Sequence, residues 1–391
     1  SNRVSAYLST SSAIRRMFEE GLALKARFGA DAVCDFSIGN PDVPPPAAFR
    51  RILREEAAVE EPQVHGYMPN AGHLFVRDAI ARRINALQGT DLDSRHVVVT
   101  CGAGGALNVA LKALVNPGDE VLACTPSFLE YRFYCENHGA SFVTVPGRPD
   151  FDLDVDALAA AISERTAAVI VNSPNNPSGR IYPESTLRNL GRMLQARSSA
   201  VGRTVYLLGD EPYRDITYGD RVPSLFAVYP HTVVCTSWSK TLSLPGERIG
   251  FLAVHREAED SARLLEACAL CNRILGFVNA PALMQRVIAR LQDEAVDVEV
   301  YRRRRDAMTA ILDAAGYAYA APQGTFYLFV RSPLVNDVDF VDRLKDERIL
   351  TVPGSAFGWP GWFRIAYCTD EAVIARSADG FEKAMRKAAG A

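Results

Sequence analysis

The sequence predicts an α/β fold, with a mostly parallel seven-stranded sheet covered by helices on both faces and a smaller α+β domain beside it. Three observations carry this. Short apolar, β-branched runs alternate with helix-period segments between residues 97 and 254. The chain has 391 residues, beyond the roughly 250–300 at which a single core stops growing, so two domains are the default. The composition shifts near residue 280, and the tail that follows has α+β character. The expected division is a large domain at 46–280 and a small one at 1–45 with 281–391.

Each element has its own signal. Ile14, Met17, Phe18, Leu22 and Leu24 recur at helical spacing, which predicts an amphipathic helix over 11–29. A strand end runs into the Gly/Pro loop Ile38-Gly39-Asn40-Pro41-Asp42, and Pro44 to Pro46 stop regular structure. Helices are expected at 47–60 and 73–87, with the turn-rich stretch Val64 to Gly72 and its Tyr67 between them. Strands are expected at 97–100, 120–124, 141–145, 167–171, 204–209, 232–236 and 250–254. Helices fill most of the gaps, at 106–115, 127–138, 154–163 and 184–197, and long ones follow at 257–273 and 281–314. Arg302 to Arg305, in the second of these, suggest either a polyanion site or a solvated face, and their acidic neighbours favour the solvated face. The tail reads as strand 325–330, helix 338–346, strands 349–352 and 363–367, and helix 370–388.

Composition excludes several classes of function. Charged residues are 23% with a net charge of −3, so nothing electrostatic points to nucleic acid or an anionic membrane. No apolar run approaches the roughly 20 residues needed to span a bilayer. Ser1-Asn2 reads as a cloning remnant, and no signal peptide is visible. The eight cysteines read as reduced and buried, which suggests a cytoplasmic protein. Cys268 and Cys271 have CxxC spacing, but no second Cys or His pair follows at zinc spacing, so no metal is expected.

Chemistry collects at strand ends. The segment from Ser237 to Gly250 joins two apolar runs and holds two hydroxyls, Ser237 and Ser239, with Lys240 and Arg248. Hydroxyls and an Arg fork suit a phosphate, and a desolvated Lys suits a Schiff base; the segment could also be a solvated surface loop. Gly102-Ala103-Gly104-Gly105 leads from a strand into a helix, which suits close approach of an anion or simply a turn. Asn172 to Gly179 holds its amides in Ser-Pro and Asn-Pro turns. Asp210, at the end of a buried strand, either meets a cation or caps the next helix. Tyr213 places a phenol nearby.

Together, in this order on successive strand ends, these segments resemble the class I/II, fold-type I aminotransferases, which use pyridoxal 5′-phosphate (PLP). Asn175-Asn176-Pro177-Ser178-Gly179, Asp210-Glu211-Pro212-Tyr213 and Ser237-Trp238-Ser239-Lys240 with Arg248 carry the resemblance, which runs from Ile38 to Ala366. It implies an aspartate-aminotransferase-like enzyme that moves an amino group between an L-amino acid, aspartate as first guess, and a 2-oxo acid such as 2-oxoglutarate. It implies Lys240 as the Schiff-base lysine and proton carrier, and Asp210 as partner of the ring N–H. Asn176 and Tyr213 are implied as donors to the ring's phenolic oxygen. Ser237, Ser239 and Arg248, with the backbone of Ala103 and Gly104, are implied as the phosphate cup, and Phe128 as the ring-stacking aromatic. Arg364 and Gly39, with Asn176, would hold the substrate carboxylate. Tyr67 would reach the phosphate of a neighbouring subunit, which implies a homodimer.

The chain departs from the family pattern in two places. Cys101-Gly102-Ala103-Gly104 lacks the Ser, Thr or Lys that many relatives carry there, and Phe128 stacks without a hydrogen-bonding group. Arg273 lies where dicarboxylate-specific relatives keep a second cation, although an Arg late in a helix is also an ordinary surface residue. Two other readings use the same fold. A PLP lyase that removes a β-substituent would need much the same site, and a ligand-binding regulator would be expected to carry a longer N-terminal segment.

Overall fold

The structure, a computed structural model, describes residues 4, 5, 7 and 13–390, with side chains of the first helix from Glu20 onward. Seven strands form the central sheet: β1 Val97–Thr100, β2 Glu120–Thr125, β3 Ser141–Pro146, β4 Thr166–Asn172, β5 Tyr206–Asp210, β6 Thr232–Ser237 and β7 Gly250–Val254. Their order is β1-β7-β6-β5-β4-β2-β3, and β7 runs antiparallel to both its neighbours while the other pairs are parallel. Successive residues of one strand face different cores. Val98, Ala168, Leu208 and Val233 pack with Leu107, Leu111, Tyr131 and Cys268 on one side. Val97, Val99 and Val234 pack with Ile80, Ile84 and Val287 on the other, where Val169 and Leu207 meet Leu187 and Leu190. Burial on both faces explains why the strands other than β3 read as unbroken apolar runs.

A second sheet has four strands, β8 Tyr319–Ala320, β9 Tyr327–Arg331, β10 Val352–Pro353 and β11 Trp362–Ala366, in the order β10-β11-β9-β8. It packs on the helices Asp337–Asp346 and Ala378–Ala388 through Leu328, Val330, Phe340, Leu344, Phe363 and Phe381. Cys34–Asp35 pairs in parallel with Ile349–Leu350, and Ala366 N–H donates to Phe36 C=O at 2.8 Å. These links lay the segment after Asp35 along the end of β11.

Several expected elements differ. The helix expected over 281–314 is two, Ala282–Ala289 and Val298–Ala314. The turn between them sends Val296 N–H to Thr241 C=O at 2.8 Å, and Asp297 caps the second helix through Glu299 N–H. Residues 349–352 do not form one strand, because Ile349–Leu350 and Val352–Pro353 belong to different sheets. The closing helix is interrupted at Ser377, whose hydroxyl donates back to Ile374 C=O. In the first helix, Ala13–Phe28, Leu22 is 55% exposed rather than buried. Residues 11 and 12 and the side chains of Ile14, Met17 and Phe18 lie outside the described set.

The solvated face expected at Arg302 to Arg305 fails at Arg304. That guanidinium is buried and holds both carboxylate oxygens of Asp42 at 2.5 and 3.2 Å. The pairing ties the helix Val298–Ala314 to the loop that carries Gly39.

Candidate active site

The carboxyl-terminal ends of β2, β4, β5 and β6, the end of β1 and the start of β7 meet at one edge of the sheet. A cavity of about 320 Å³ opens there. This is where an open α/β sheet leaves its strand-end loops free to converge on a ligand.

Lys240 sits on a single helical turn, Trp238–Thr241, rather than in an irregular loop. Ser237, the last residue of β6, caps this turn through Ser239 N–H. From outside, Thr241 Oγ1 donates to Asp215 Oδ2 at 3.0 Å, and Arg83 pairs with the same oxygen at 2.9 Å. The turn is therefore held at both ends, and the Lys240 side chain runs into the cavity. Its Nζ donates to Gly39 C=O at 2.6 Å and lies 5.4 Å from the Phe326 ring centre. Burial draws the Lys240 amine down to about 8, with smaller contributions from Arg364 and Arg248 in the same direction.

Asp210 ends β5 beside Asn172 of β4. The residue is 6% exposed, and its carboxylate accepts a hydrogen bond from Tyr131 Oη at 2.5 Å. Burial raises the carboxyl to about 7; the Tyr131 bond opposes the rise and nearby Glu211 adds to it. Glu211 points away from the cavity into a buried pair with Arg214, at 2.6 and 2.9 Å. Asn172 holds the neighbouring loop in place, since its Nδ2 donates to Asp210 C=O and its Oδ1 accepts from Asn176 N–H.

Arg364 lies on β11 and is almost fully buried. Its Nη1 donates to Asn176 Oδ1 at 3.0 Å and its Nη2 to Ser37 C=O at 2.6 Å. The guanidinium carbon lies 4.5 Å from the Tyr327 ring centre and 5.0 Å from that of Phe357. Its Nε is a buried donor with no partner among the described residues. Tyr327 Oη lies 3.1 Å from Tyr213 Oη, and burial raises the Tyr213 phenol well above its ordinary value.

At the other end of the cavity, Ser237 Oγ and Ser239 Oγ are 3.1 Å apart. The helix expected from residue 106 starts earlier, at Gly102, so Ala103 and Gly104 form its first turn and leave their N–H groups free of helical partners. Gly102 has φ of 74°, and a Cβ there would lie 3.0 Å from Arg248 Nη2. Only glycine lets the helix start and the guanidinium come this close.

Gly39, Ala103, Gly104, Phe128, Asn176, Asp210, Tyr213, Ser237, Ser239, Lys240, Arg248 and Arg364 thus line the same cavity. Tyr67 does not, and it is 94% exposed. Arg273 is exposed near the end of the helix Ser261–Ile274 and is also absent from the lining. Sequence reasoning missed Tyr131, Tyr134 and Tyr327. Tyr131 and Tyr134 follow Phe128 at helical spacing, a visible signal for a shared face. Tyr327 opens β9 directly after Phe326, and nothing local marks its side of the strand as the cavity side.

The model of the family described as aminotransferase class I and II matches residues 31–381. The aspartate/prephenate aminotransferase of Thermus thermophilus is 30% identical over 369 residues, which cover 93% of each chain. Aromatic-amino-acid aminotransferase 2 of Thermococcus litoralis is 28% identical, covering 92% of this chain and 93% of its own. A solved amino transferase from Eubacterium rectale is 38% identical, with a TM-score of 0.95 over 99% of this chain and 98% of the other.

Proposed function

The chain belongs to the class I and II aminotransferases, PLP-dependent enzymes that act on amino acids and 2-oxo acids, and from that premise we propose which of its residues do the work and on what. The observation that carries the reading is the convergence of Lys240, Asp210 and Arg364 on one cavity. The donor set fits the cofactor group by group. An amine with its proton held loosely suits the aldehyde, and a buried carboxylate suits a protonated ring nitrogen. Two hydroxyls, Arg248 and the bare helix start suit the phosphate. The bound cofactor supplies an electron sink for the bond broken at the substrate Cα.

The protein's share follows from its own groups. Arg364, stacked between Tyr327 and Phe357, offers its fork to the α-carboxylate, with Gly39 and Asn176 beside it. Lys240 would hold the aldehyde and, through its Nζ, carry the proton from Cα. Asn176 and Tyr213 would donate to the phenolic oxygen, and Phe128 would pack on the ring. An amine near 8 is partly neutral at physiological pH, which a solvated lysine near 10.5 is not. Only the neutral amine attacks an aldehyde. Cofactor uptake by the apoprotein is therefore expected to rise with pH through about 8 and level off above about 9, as read by stopped-flow absorbance. A rate still climbing tenfold per unit between pH 9 and 10 would mark Lys240 as an ordinary surface amine.

Aspartate is the proposed donor, supported by the names of the Thermus and Thermotoga relatives. A neutral or aromatic donor is the second reading, and the lining favours it. The charged side chains there are Asp210, Lys240, Arg248 and Arg364, all assigned above, while Leu107, Tyr134 and Tyr327 add apolar surface. The test is a panel of the twenty amino acids with 2-oxoglutarate, read by glutamate formation and keto-acid product. Aspartate ahead of the rest supports the first reading, and phenylalanine or a small neutral amino acid ahead overturns it. Pyruvate and ammonia from a single substrate without an acceptor would point to β-elimination.

The exposure of Tyr67 supports a homodimer in which each chain lends this phenol to the other's site. Exposed Leu270 and Ile274 lie on the helix Ser261–Ile274, the one that carries Arg273. The division into domains at 46–280 and 1–45 with 281–391 belongs to the same proposal. The core that Met284, Val287 and Leu291 share with Phe49 and Ile52 supports moving its second boundary past Leu291. No helix among the described residues is long and apolar enough to cross a membrane. Seven of the eight cysteines are buried and none is in a disulfide, which supports a cytoplasmic location.

A further inference from the structure

The helix start at the phosphate end offers no hydroxyl or ammonium of its own, since residues 101–104 are Cys, Gly, Ala and Gly and the Cys101 thiol is turned to Asn279 C=O. The space over Gly104 is nevertheless filled. A Cβ built on Gly104 would lie 3.1 Å from Tyr134 Oη, closer than ordinary contact, and apart from Cζ of the same ring nothing else comes within 4 Å. Tyr134 stands on the helix Glu130–Asn137, and its ring packs against the core beneath the sheet edge. The residue lines the cavity, and its hydroxyl makes no hydrogen bond among the described residues. Arg248 closes on the same bare turn from the Gly102 side.

We propose that Tyr134 is a phosphate ligand of this enzyme, its hydroxyl replacing the loop donor missing at position 104, and that Gly104 is small because Tyr134 occupies that space. The inference rests on the phosphate seat assigned in the preceding subsection. It accounts for two features at once, an unpaired phenol turned into a polar cavity and a glycine where a donor would otherwise stand. Burial, with Glu130 and Asp210 adding to it and Arg248 opposing, pushes the phenol up to about 12. It therefore keeps its proton at neutral pH and can donate to a dianion.

Binding separates this role from packing. Apoprotein is titrated with pyridoxal phosphate and, separately, with pyridoxal, which has the same ring and no phosphate. For Tyr134→Phe the dissociation constant of pyridoxal phosphate is expected to rise about tenfold or more, the worth of one hydrogen bond to a charged group. Pyridoxal affinity should stay the same, which also reports that the site is folded. Adding Gly104→Ser to Tyr134→Phe returns a hydroxyl to the vacated space and should recover most of the loss. Gly104→Ser alone, crowded by Tyr134 Oη, should not improve binding. Equal weakening for both ligands, or no change for either, overturns the proposal. A wild-type protein that binds both ligands equally would instead remove the whole phosphate seat, and with it this assignment.

Discussion

Lys240→Ala is expected to abolish both turnover and the visible absorbance of covalently held cofactor. Two effects add. A positioned general base contributes roughly 10²–10⁴-fold, about 3–5 kcal/mol at 1.36 kcal/mol per decade. The covalent tether would be lost as well, which leaves the cofactor to the groups proposed for its phosphate, ring nitrogen, phenolic oxygen and ring face. The fold should survive. The turn Trp238–Thr241 is held by the Ser237 cap, by Thr241 on Asp215 and by Val296 on Thr241, none of which uses the lysine side chain. Alanine is the strongest helix former, and among the described residues the substitution removes one hydrogen bond, from Nζ to Gly39 C=O, with the contact to the Phe326 ring. The measurements are coupled-assay turnover, the absorbance spectrum of the reconstituted protein and a thermal melt. A variant that melts like wild type, keeps the covalent band and still turns over would show that another amine does this work.

Asp210→Asn tests charge rather than shape. The carboxylate is buried at the end of β5, and in the free protein burial lifts it to about 7. A protonated ring nitrogen beside it would hold it ionised, because opposite charges at hydrogen-bond distance favour each other's charged form. The amide keeps the volume and can still accept from Tyr131, but it cannot keep that nitrogen protonated. Losing one charge-assisted bond of about 1.5–3 kcal/mol implies a turnover loss of roughly 10- to 100-fold. Loss of the electron sink adds to this, so the expected fall is at the upper end or beyond. Cofactor binding should weaken far less, since the phosphate end is untouched. Tyr131→Phe gives the sign of the electrostatics. The Tyr131 bond lowers the carboxyl in the free protein, so removing it raises that value further, and Asp210 then stays protonated to a higher pH. The acid limb of cofactor binding should shift upward in pH. Unchanged turnover in the Asn variant, or a downward shift in the Phe variant, would show that Asp210 is not the ring partner.

Much of the layout was legible because its causes are local. Strands buried on both faces must be apolar throughout, so the buried strands stand out as runs such as Val97 to Thr100 and Thr232 to Thr236, while the edge strand β3 is mostly exposed or half-buried and is marked by its β-branched Val143, Thr144 and Val145. Their ends are marked by residues that cannot continue a strand, and polar groups there have nowhere to lie but the sheet edge. The two departures within 281–314 have the opposite origin. Residues 290–297 keep helical character in sequence, and the break comes from Val296 reaching Thr241 across the molecule. Arg304 looked solvated because its chain neighbours are acidic, yet its partner is Asp42, far away in sequence.

By itself the sequence determined the inventory of chemical groups and the order in which strands present them, since hydrophobic period and turn chemistry act over a few residues. Only the tertiary structure decided which further side chains face that inventory. Tyr131 meets Asp210, Tyr327 backs Arg364, and Tyr134 covers Gly104. Each of these contacts joins elements distant in the chain, and packing across the sheet edge, not any neighbouring residue, sets the direction of the side chain.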